Sequence, residues 1–443
     1  MILRDPVHGL VAFEGEDEKL ARALLDTREM QRLRRIRQLG LISLVFIGAE
    51  HSRFAHSVGA AHVMIRLLER LSQVMDRVPA EERLDPVSRR DAIAAAFLHD
   101  IGHGPFSHLF EEIVPKALHH EDWTEAIIMD PSTEVNRALR AFDPEMPERV
   151  CALIRKRHPV AWLSSTVSGV LDVDRCDYLL RDSMMTGVRY GLYDLDWLLR
   201  VTTLAPFHSS GRLRTILAIE GRKGLSPVED FFLARYFMHQ QVYHHKATRA
   251  GECLVRAILR RASELVREGS PAAAGFPPAL RMAALGELPS LSDYLELDDM
   301  TLSVALFSCE KNCDPLLSEL SRRLRNRALF KTISLPPNPE KAWLWEEAHL
   351  IAKDIAKSAG FDPDLYVWLD LPEDVPYRDN REGEGMWVLV EPGHLFPLGE
   401  ISFTIARLRN QRILWPRLCF APELRDCLVP AVGELLGRKD PSN

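Results

Sequence analysis

Residues 96–111, AFLHDIGHGPFSHLFE, decide how the rest of the chain is read. An apolar helical run through Ala96, Phe97 and Leu98 ends in His99 and Asp100, and Gly102, Gly104 and Pro105 then release the chain. An imidazole beside a carboxylate at the end of a buried helix costs desolvation free energy unless a cation or hydrogen bonds offset it. A lone His-Asp pair carries little weight, because a capping aspartate and a core histidine often meet by chance. Here His103 and His108 follow closely, among glycines that permit positive φ or close backbone approach. Ionisable groups packed this densely at glycine punctuation read as the wall of a site.

A metal centre needs further ligands from other stretches. His56 lies in SRFAHSVG, where another helix should begin; taken alone it reads as a buried histidine bonded to a neighbour. Asp174 lies in SGVLDVDRCDYLLRD, where Leu171, Val173 and Leu179 signal burial. Asp172, Asp174, Asp177 and Asp182 in such a semi-apolar stretch must meet cations or basic side chains. Two imidazoles and two carboxylates, His56, His99, Asp100 and Asp174, suit Mn, Fe, Co, Ni or Zn better than Ca or an all-oxygen Mg site.

Outward from these motifs the chain reads as mostly α. Helices are expected up to Gly40, over 57–75, through RRDAIAAAFLHD, over 120–140, 145–156 and 160–200, and as one long helix over 228–266. Residues 2–13 read as extended with a turn at 5–9, 43–48 as a short extended piece and 212–220 as a strand. Proline clusters at 336–339 and 372–376 mark a change of character near Lys331. The expectation is a helical core over 1–330 and a smaller α+β region over 331–443, in which MWVLVE and EISFTIARL are strands and 422–437 a helix.

Bulk properties narrow the function classes. The 46% hydrophobic composition is too apolar for disorder, and the net charge of −7 gives no global attraction to nucleic acid or to an anionic membrane. Seven scattered cysteines point to reduced thiols in the cytoplasm rather than a disulfide framework. No apolar stretch reaches the roughly 18 residues of a membrane span, and MILRDPVHG does not resemble a secretory signal.

The strings DPVHG, DTREMQRLRRIRQLG, HSRFAHS, HDIGHGPFSH, DVDRCDYLLRD and YHHK occur in this order between residues 5 and 249. In that arrangement the chain resembles the HD-domain deoxynucleoside triphosphate triphosphohydrolases, the family that includes the SAM-and-HD-domain proteins. The resemblance implies an HD-domain helical core with His56, His99, Asp100 and Asp174 on a divalent transition metal, and additional Mg on the substrate phosphates. It places His103 and His108 against the α-phosphate and makes His120 a catalytic histidine paired with an acid. That acid is Glu111 here, one methylene longer than the family's aspartate, and His119 competes for the histidine role. Arg53, Arg175, Arg235 and Lys246 would grip phosphate oxygens, Arg175 standing where relatives often have lysine. Gln38, Leu39, Tyr178, Asp182 and Tyr243 would surround the sugar, with Asp182 accepting from the 3′-hydroxyl. Asp26, Gln31 and Arg34 match residues that contact an activating guanine nucleotide in some relatives, although a local salt bridge explains them equally well.

The implied reaction releases a deoxynucleoside and intact triphosphate, and relatives are commonly dimers or tetramers, so a nucleotide substrate and a homo-oligomer are the expected partners. Rival readings are an HD-class nucleotidase or phosphodiesterase acting on another phosphate ester, and a nucleotide-sensing module. A nucleic-acid binder using the basic helix at 28–37 is disfavoured by the acidic total charge but stays open.

Overall fold

The computed structural model describes residues 1–107, 119–209, 211–379, 385–391 and 393–437. As expected, the chain is a mostly helical HD-type core with a smaller C-terminal region containing β-strands. His108 and Glu111 lie outside the described residues.

Three helices carry the centre. The helix Arg53–Ser72 starts at Ser52, whose hydroxyl accepts from the Ala55 amide, and it is buried on nearly every side from Phe54 to Leu68. Such a helix needs small residues where neighbours approach closely. At Gly59 an added Cβ would sit 1.8 Å from Asp177 Oδ1 and 2.3 Å from an Arg181 nitrogen. The helix Pro86–Leu98 begins at Asp85, which caps the Val87 and Ser88 amides at 2.7 and 2.8 Å, and buries every residue from Asp91 to Leu98. The helix Val173–Thr186 is capped by Asp172, which accepts from the Arg175 amide at 2.8 Å, and ends at Gly187 with φ 78°. Arg53–Ser72 packs against both of the others.

The N-terminal hairpin, Ile2–Asp5 with Gly9–Ala12, is tied to this trio by charge. Asp5 Oδ1 accepts the Val7 and His8 amides, both at 2.9 Å, which shapes the DPVHG turn. Its other oxygen takes Arg181 Nη1 at 2.7 Å, and His8 Nε2 meets Asp177 Oδ1 at 2.7 Å.

The C-terminal region contributes a three-stranded sheet, Lys331–Ser334, Arg417–Phe420 and Val367–Asp370, with Arg417–Phe420 in the middle. It shares one apolar core with the Lys246–Arg267 helix and with residues as early as Phe106 and Trp123. A four-stranded sheet joins Thr202–Ser209 and Arg212–Glu220 to Trp387–Glu391 and His394–Pro397, with Ala218 opposite Trp387 in a parallel pair. Tyr377, Met386, Val388, Leu398 and Ile405 pack into the same core as the three central helices.

Three expectations are corrected. EISFTIARL is helical, over Leu398–Ile401 and Phe403–Leu408, although MWVLVE is a strand. The alternation of Ile401, Phe403 and Ile405 imitates a strand, but Ser402 caps the Ile405 amide at 2.9 Å and Phe403 is 79% exposed. Residues 43–48 form no strand, their start belonging to the 3₁₀ turn Gly40–Leu44. The long helix over 228–266 is two, Leu225–Met238 and Lys246–Arg267, parted by a π turn at His239–Tyr243.

Arg181 is fully buried and neutralises both Asp5 and Asp177. Arg181→Ala should therefore destabilise the protein by about 3–5 kcal/mol, as for other buried pairs that lose one partner. Gly59→Ala should lower stability by roughly 2–3 kcal/mol through overpacking. Urea unfolding checks both, and losses below about 1 kcal/mol would show that the core can relax around either change.

Candidate metal centre and adjoining pocket

Each candidate ligand arises where a helix starts or stops. His56 and Asp174 occupy the first turns of Arg53–Ser72 and Val173–Thr186, and His99 and Asp100 follow the end of Pro86–Leu98. His56 Nε2 lies 3.1 Å from Asp174 Oδ1, 3.2 Å from His99 Nε2 and 3.7 Å from Asp100 Oδ2. His99 Nε2 is 3.5 Å from an oxygen of Asp100 and from one of Asp174. His56, His99 and Asp174 form a candidate metal site, with one donor atom from each inside a 4.8 Å span. The fit to a cation is chemical as well as spatial. Two ring nitrogens facing each other at 3.2 Å need a proton or a cation between them, and the N2O2 set with Asp100 suits a divalent transition metal.

The other ring nitrogens fix the tautomers. His99 Nδ1 donates to the Ala96 carbonyl at 2.9 Å, leaving Nε2 for the centre. His56 Nδ1 meets Asp177 Oδ2 at 2.8 Å, and Arg181 holds that carboxylate with two bonds of 2.8 Å. Burial opposes charging His56, but Asp174 and Asp177 outweigh it and push the imidazole up to about 10. Burial likewise works against the Asp100 carboxylate, yet Arg53, His99 and His103 hold it well below the usual range.

Beside the cluster, Arg53 Nη1 donates to Asp100 at 2.5 Å, and its Nε and Nη2 donate to the Ser107 hydroxyl. Phe106 and Ser107 both take positive φ, 55° and 57°, backbone strain of the kind found at functional sites. Gly102 itself is needed for space, since a Cβ would come 2.1 Å from the His120 carbonyl oxygen. That close approach brings the His120–Met129 helix to the site, and the His103 and His120 rings stack with centroids 3.9 Å apart. Burial, with Arg53 adding to it, keeps His103 far below an ordinary histidine, so it stays neutral.

A cavity of about 570 Å³ opens from Asp100 and Asp174. Gln38, Leu39, Arg53, His103, His120, Arg175, Tyr178, Asp182, Arg235 and Tyr243 all line it. In its wall Asp182 is held between His51 Nε2 and the Tyr243 hydroxyl, each at 2.8 Å, and the Tyr178 and Tyr243 rings meet edge to face. Arg175 donates to the Gly169 carbonyl at 2.6 Å and pairs with Asp172. Lys246 is not brought here. It begins the helix after the π turn and faces a separate cavity of about 410 Å³ with Arg327, Lys331 and Arg425. Asp26, Gln31 and Arg34 also lie off the cavity, with Arg34 Nε donating to Gln31 Oε1 at 2.9 Å.

Several groups at the site had no assigned role in the sequence. Asp177, His8, Asp5 and Arg181 form the outer layer behind His56; the three-residue step from Asp174 to Asp177 and the four-residue step to Arg181 were the available signal. His51, His239 and His244 gave none, because a single histidine in a polar stretch fits many roles.

An HD domain model matches residues 53–182, a span bounded by Arg53 and Asp182 of the cavity itself. The chain is 36% identical over 428 residues to the uncharacterized protein YwfO of Bacillus subtilis, covering 96% of this chain and 92% of that one. A crystal structure of a phosphohydrolase from Bacteroides thetaiotaomicron superposes with a TM-score of 0.76 at 27% identity, covering 95% of this chain and 99% of the other. A deoxynucleoside triphosphate triphosphohydrolase SAMHD1 homolog of Dictyostelium discoideum is 26% identical over 375 residues, which is 80% of this chain and 64% of that protein.

Metal loading should depend on pH in a defined sense. Without metal, His56 holds its proton below about 10, and a cation must displace it. Apparent affinity should therefore rise with pH, with protons released on metal binding at pH 7. Calorimetry in buffers of different ionisation enthalpy measures this, and binding without proton release contradicts it. His99→Ala and Asp174→Ala should lose metal by elemental analysis while keeping their helical circular dichroism. With the HD motif, the ligand cluster and near full-length likeness to YwfO in agreement, the chain belongs to that HD-domain family and is a metal-dependent phosphohydrolase.

Proposed function

We propose that the chain hydrolyses deoxynucleoside triphosphates at the α-phosphorus, releasing a deoxynucleoside and inorganic triphosphate. One observation carries this reading. A single cavity is lined by Asp100 and Asp174 of the ligand cluster, by Arg53, Arg175 and Arg235, and by Tyr178, Asp182 and Tyr243. Its volume is within the ordinary range for small-molecule sites. The name of the Dictyostelium relative points to the same substrate class.

When bound at His56, His99, Asp100 and Asp174, a divalent cation supplies Lewis-acid polarisation of a phosphoryl oxygen and lowers the pKa of water. Arg53, Arg175 and Arg235 bind the phosphate chain by forked hydrogen bonds. Neutral His103 orients an α-phosphate oxygen by hydrogen bonding and supports the His120 ring by stacking. His120 delivers the proton to the departing O5′, a task suited to imidazole near neutral pH. Asp182 accepts from the 3′-hydroxyl while His51 and Tyr243 fix its two oxygens. Gln38 and Leu39 flank the sugar with Tyr178 and disfavour a 2′-hydroxyl, all three lining the cavity. Asp26, Gln31 and Arg34 serve an activating nucleotide in the same reading, in a cytoplasmic homo-oligomer.

Manganese-loaded protein incubated with each deoxy- and ribonucleoside triphosphate should release tripolyphosphate from the deoxy forms. Orthophosphate or pyrophosphate as the product would instead support the nucleotidase or phosphodiesterase reading. Asp182→Ala should reduce kcat/KM for deoxynucleotides about 30-fold, the value of one hydrogen bond to a charged group. Its metal content should not change. Parallel loss of metal would remove Asp182 from the sugar side.

A further inference from the structure

We propose that Asp374, with the carbonyls of Val375 and Pro376, is a positioning device that holds Arg235 and His239 in the wall of the metal cavity. The C-terminal region would thereby form part of the polyphosphate-binding side. The proposal rests on the phosphate-binding reading of Arg235 given above.

Arg235 lies in the last turn of the Leu225–Met238 helix and His239 directly follows it, and both line the cavity. Three hydrogen bonds grip the guanidinium from behind. Nη2 donates to Asp374 Oδ1 at 2.8 Å, and Nη1 donates to the carbonyls of Val375 at 3.1 Å and Pro376 at 2.6 Å. A guanidinium has five N–H donors. The Nε–H and one Nη2–H are left without a partner among the described residues, on adjacent nitrogens that suit two oxygens of one phosphate. Asp374 is itself fixed, because its two-residue strand pairs with Ile413–Leu414 from further along the chain.

His239 shows the same relation. Its Nδ1 and Asp374 Oδ2 are both buried without hydrogen-bond partners, and they lie 3.8 Å apart. A movement of under about 1 Å would join them. Leaving both unpaired in the interior would cost free energy. Burial and the nearby Arg235 keep His239 neutral, so its Nδ1–H is available to face the carboxylate. The opposite side of the ring packs edge to face on Tyr243, with centroids 4.8 Å apart. One carboxylate from the C-terminal region thus sets the orientation of two cavity groups that come from a different element.

Calorimetric binding of tripolyphosphate to the manganese-loaded full chain tests this directly. Asp374→Ala should weaken binding about 10-fold, the entropic effect of releasing a long side chain and an aromatic ring. Asp374→Asn keeps the acceptor for Nη2 and should recover most of that loss. In an Arg235→Ala background the Asp374→Ala change should cost clearly less than in the unaltered chain, only the share carried by His239, whereas a purely structural role would give additive losses. Metal content and thermal midpoint are measured on the same samples, and Asp374→Leu, which removes the acceptor at similar volume, takes the place of the Ala variant if that does not fold. Unchanged or tighter binding in both Asp374 variants, additive losses in the double variant, or absence of tripolyphosphate binding by the unaltered chain would overturn the proposal. Binding that behaves as expected in a chain that releases no tripolyphosphate from any deoxynucleotide would leave the positioning role standing and remove the proposed reaction.

Discussion

The imidazole of His56 sits fully buried between two carboxylates, and the surrounding architecture serves to make that tolerable. Its Nε2 faces Asp174 and the cation position, while its Nδ1 is committed to Asp177. Asp177 has no solvent exposure and must be satisfied from within the protein. Arg181 supplies two bonds and His8 a third, and Arg181 is in turn shared with Asp5. The N-terminal hairpin is thus an outer support of the metal centre rather than a decorative edge. Gly59 is the spatial condition for the whole assembly, since any side chain there would occupy the place of the ion pair.

A second regularity concerns the arginines of the cavity. Arg53 pairs with Asp100, Arg175 with Asp172 and Arg235 with Asp374. Each cation facing the cavity has a carboxylate behind it or beside it. Buried guanidinium groups without partners would be costly, and their long side chains would be disordered. Held this way they present donors in fixed directions, so an incoming polyanion pays little of the ordering entropy. The pairing also explains how a chain of net charge −7 can set several arginines in one cavity beside the carboxylates that line it. Net charge describes the surface average, and the local field is set by which partner each arginine has.

The two halves of the chain are interleaved. Residues from Ala250 onward, joined by Phe106 and Trp123, build the second core together with the C-terminal sheet, while Tyr377, Met386 and Ile405 return to the first core. Asp374 lies on one such return path, paired through Ile413 and Leu414, which is how a residue so distant in sequence comes to face Arg235. The π turn at His239–Tyr243 has the complementary effect. It lets His239, Tyr243 and His244 all line the cavity, and then redirects the chain so that Lys246 points to another basic cavity.

The amino-acid sequence by itself was sufficient for the candidate metal site and the helical core, and its resemblance to the HD-domain family implied the class of chemistry. His99 and Asp100 stand at a helix end among glycines, and Asp174 and His56 stand near helix starts, and these are local patterns set by periodicity and breakers within a few residues. The C-terminal boundary between strand and helix was less legible, because EISFTIARL alternates like a strand while its Ser402 cap and the exposure of Phe403 depend on what packs nearby. Only the tertiary structure could decide that Asp177 supports His56, that Asp374 holds Arg235, and that Lys246 belongs elsewhere. Each of those outcomes is a contact across more than a hundred residues or a change of helix direction. Local spacing contains no information on which buried acid will meet which distant base, since burial leaves both in need of a partner and the fold alone brings one within reach.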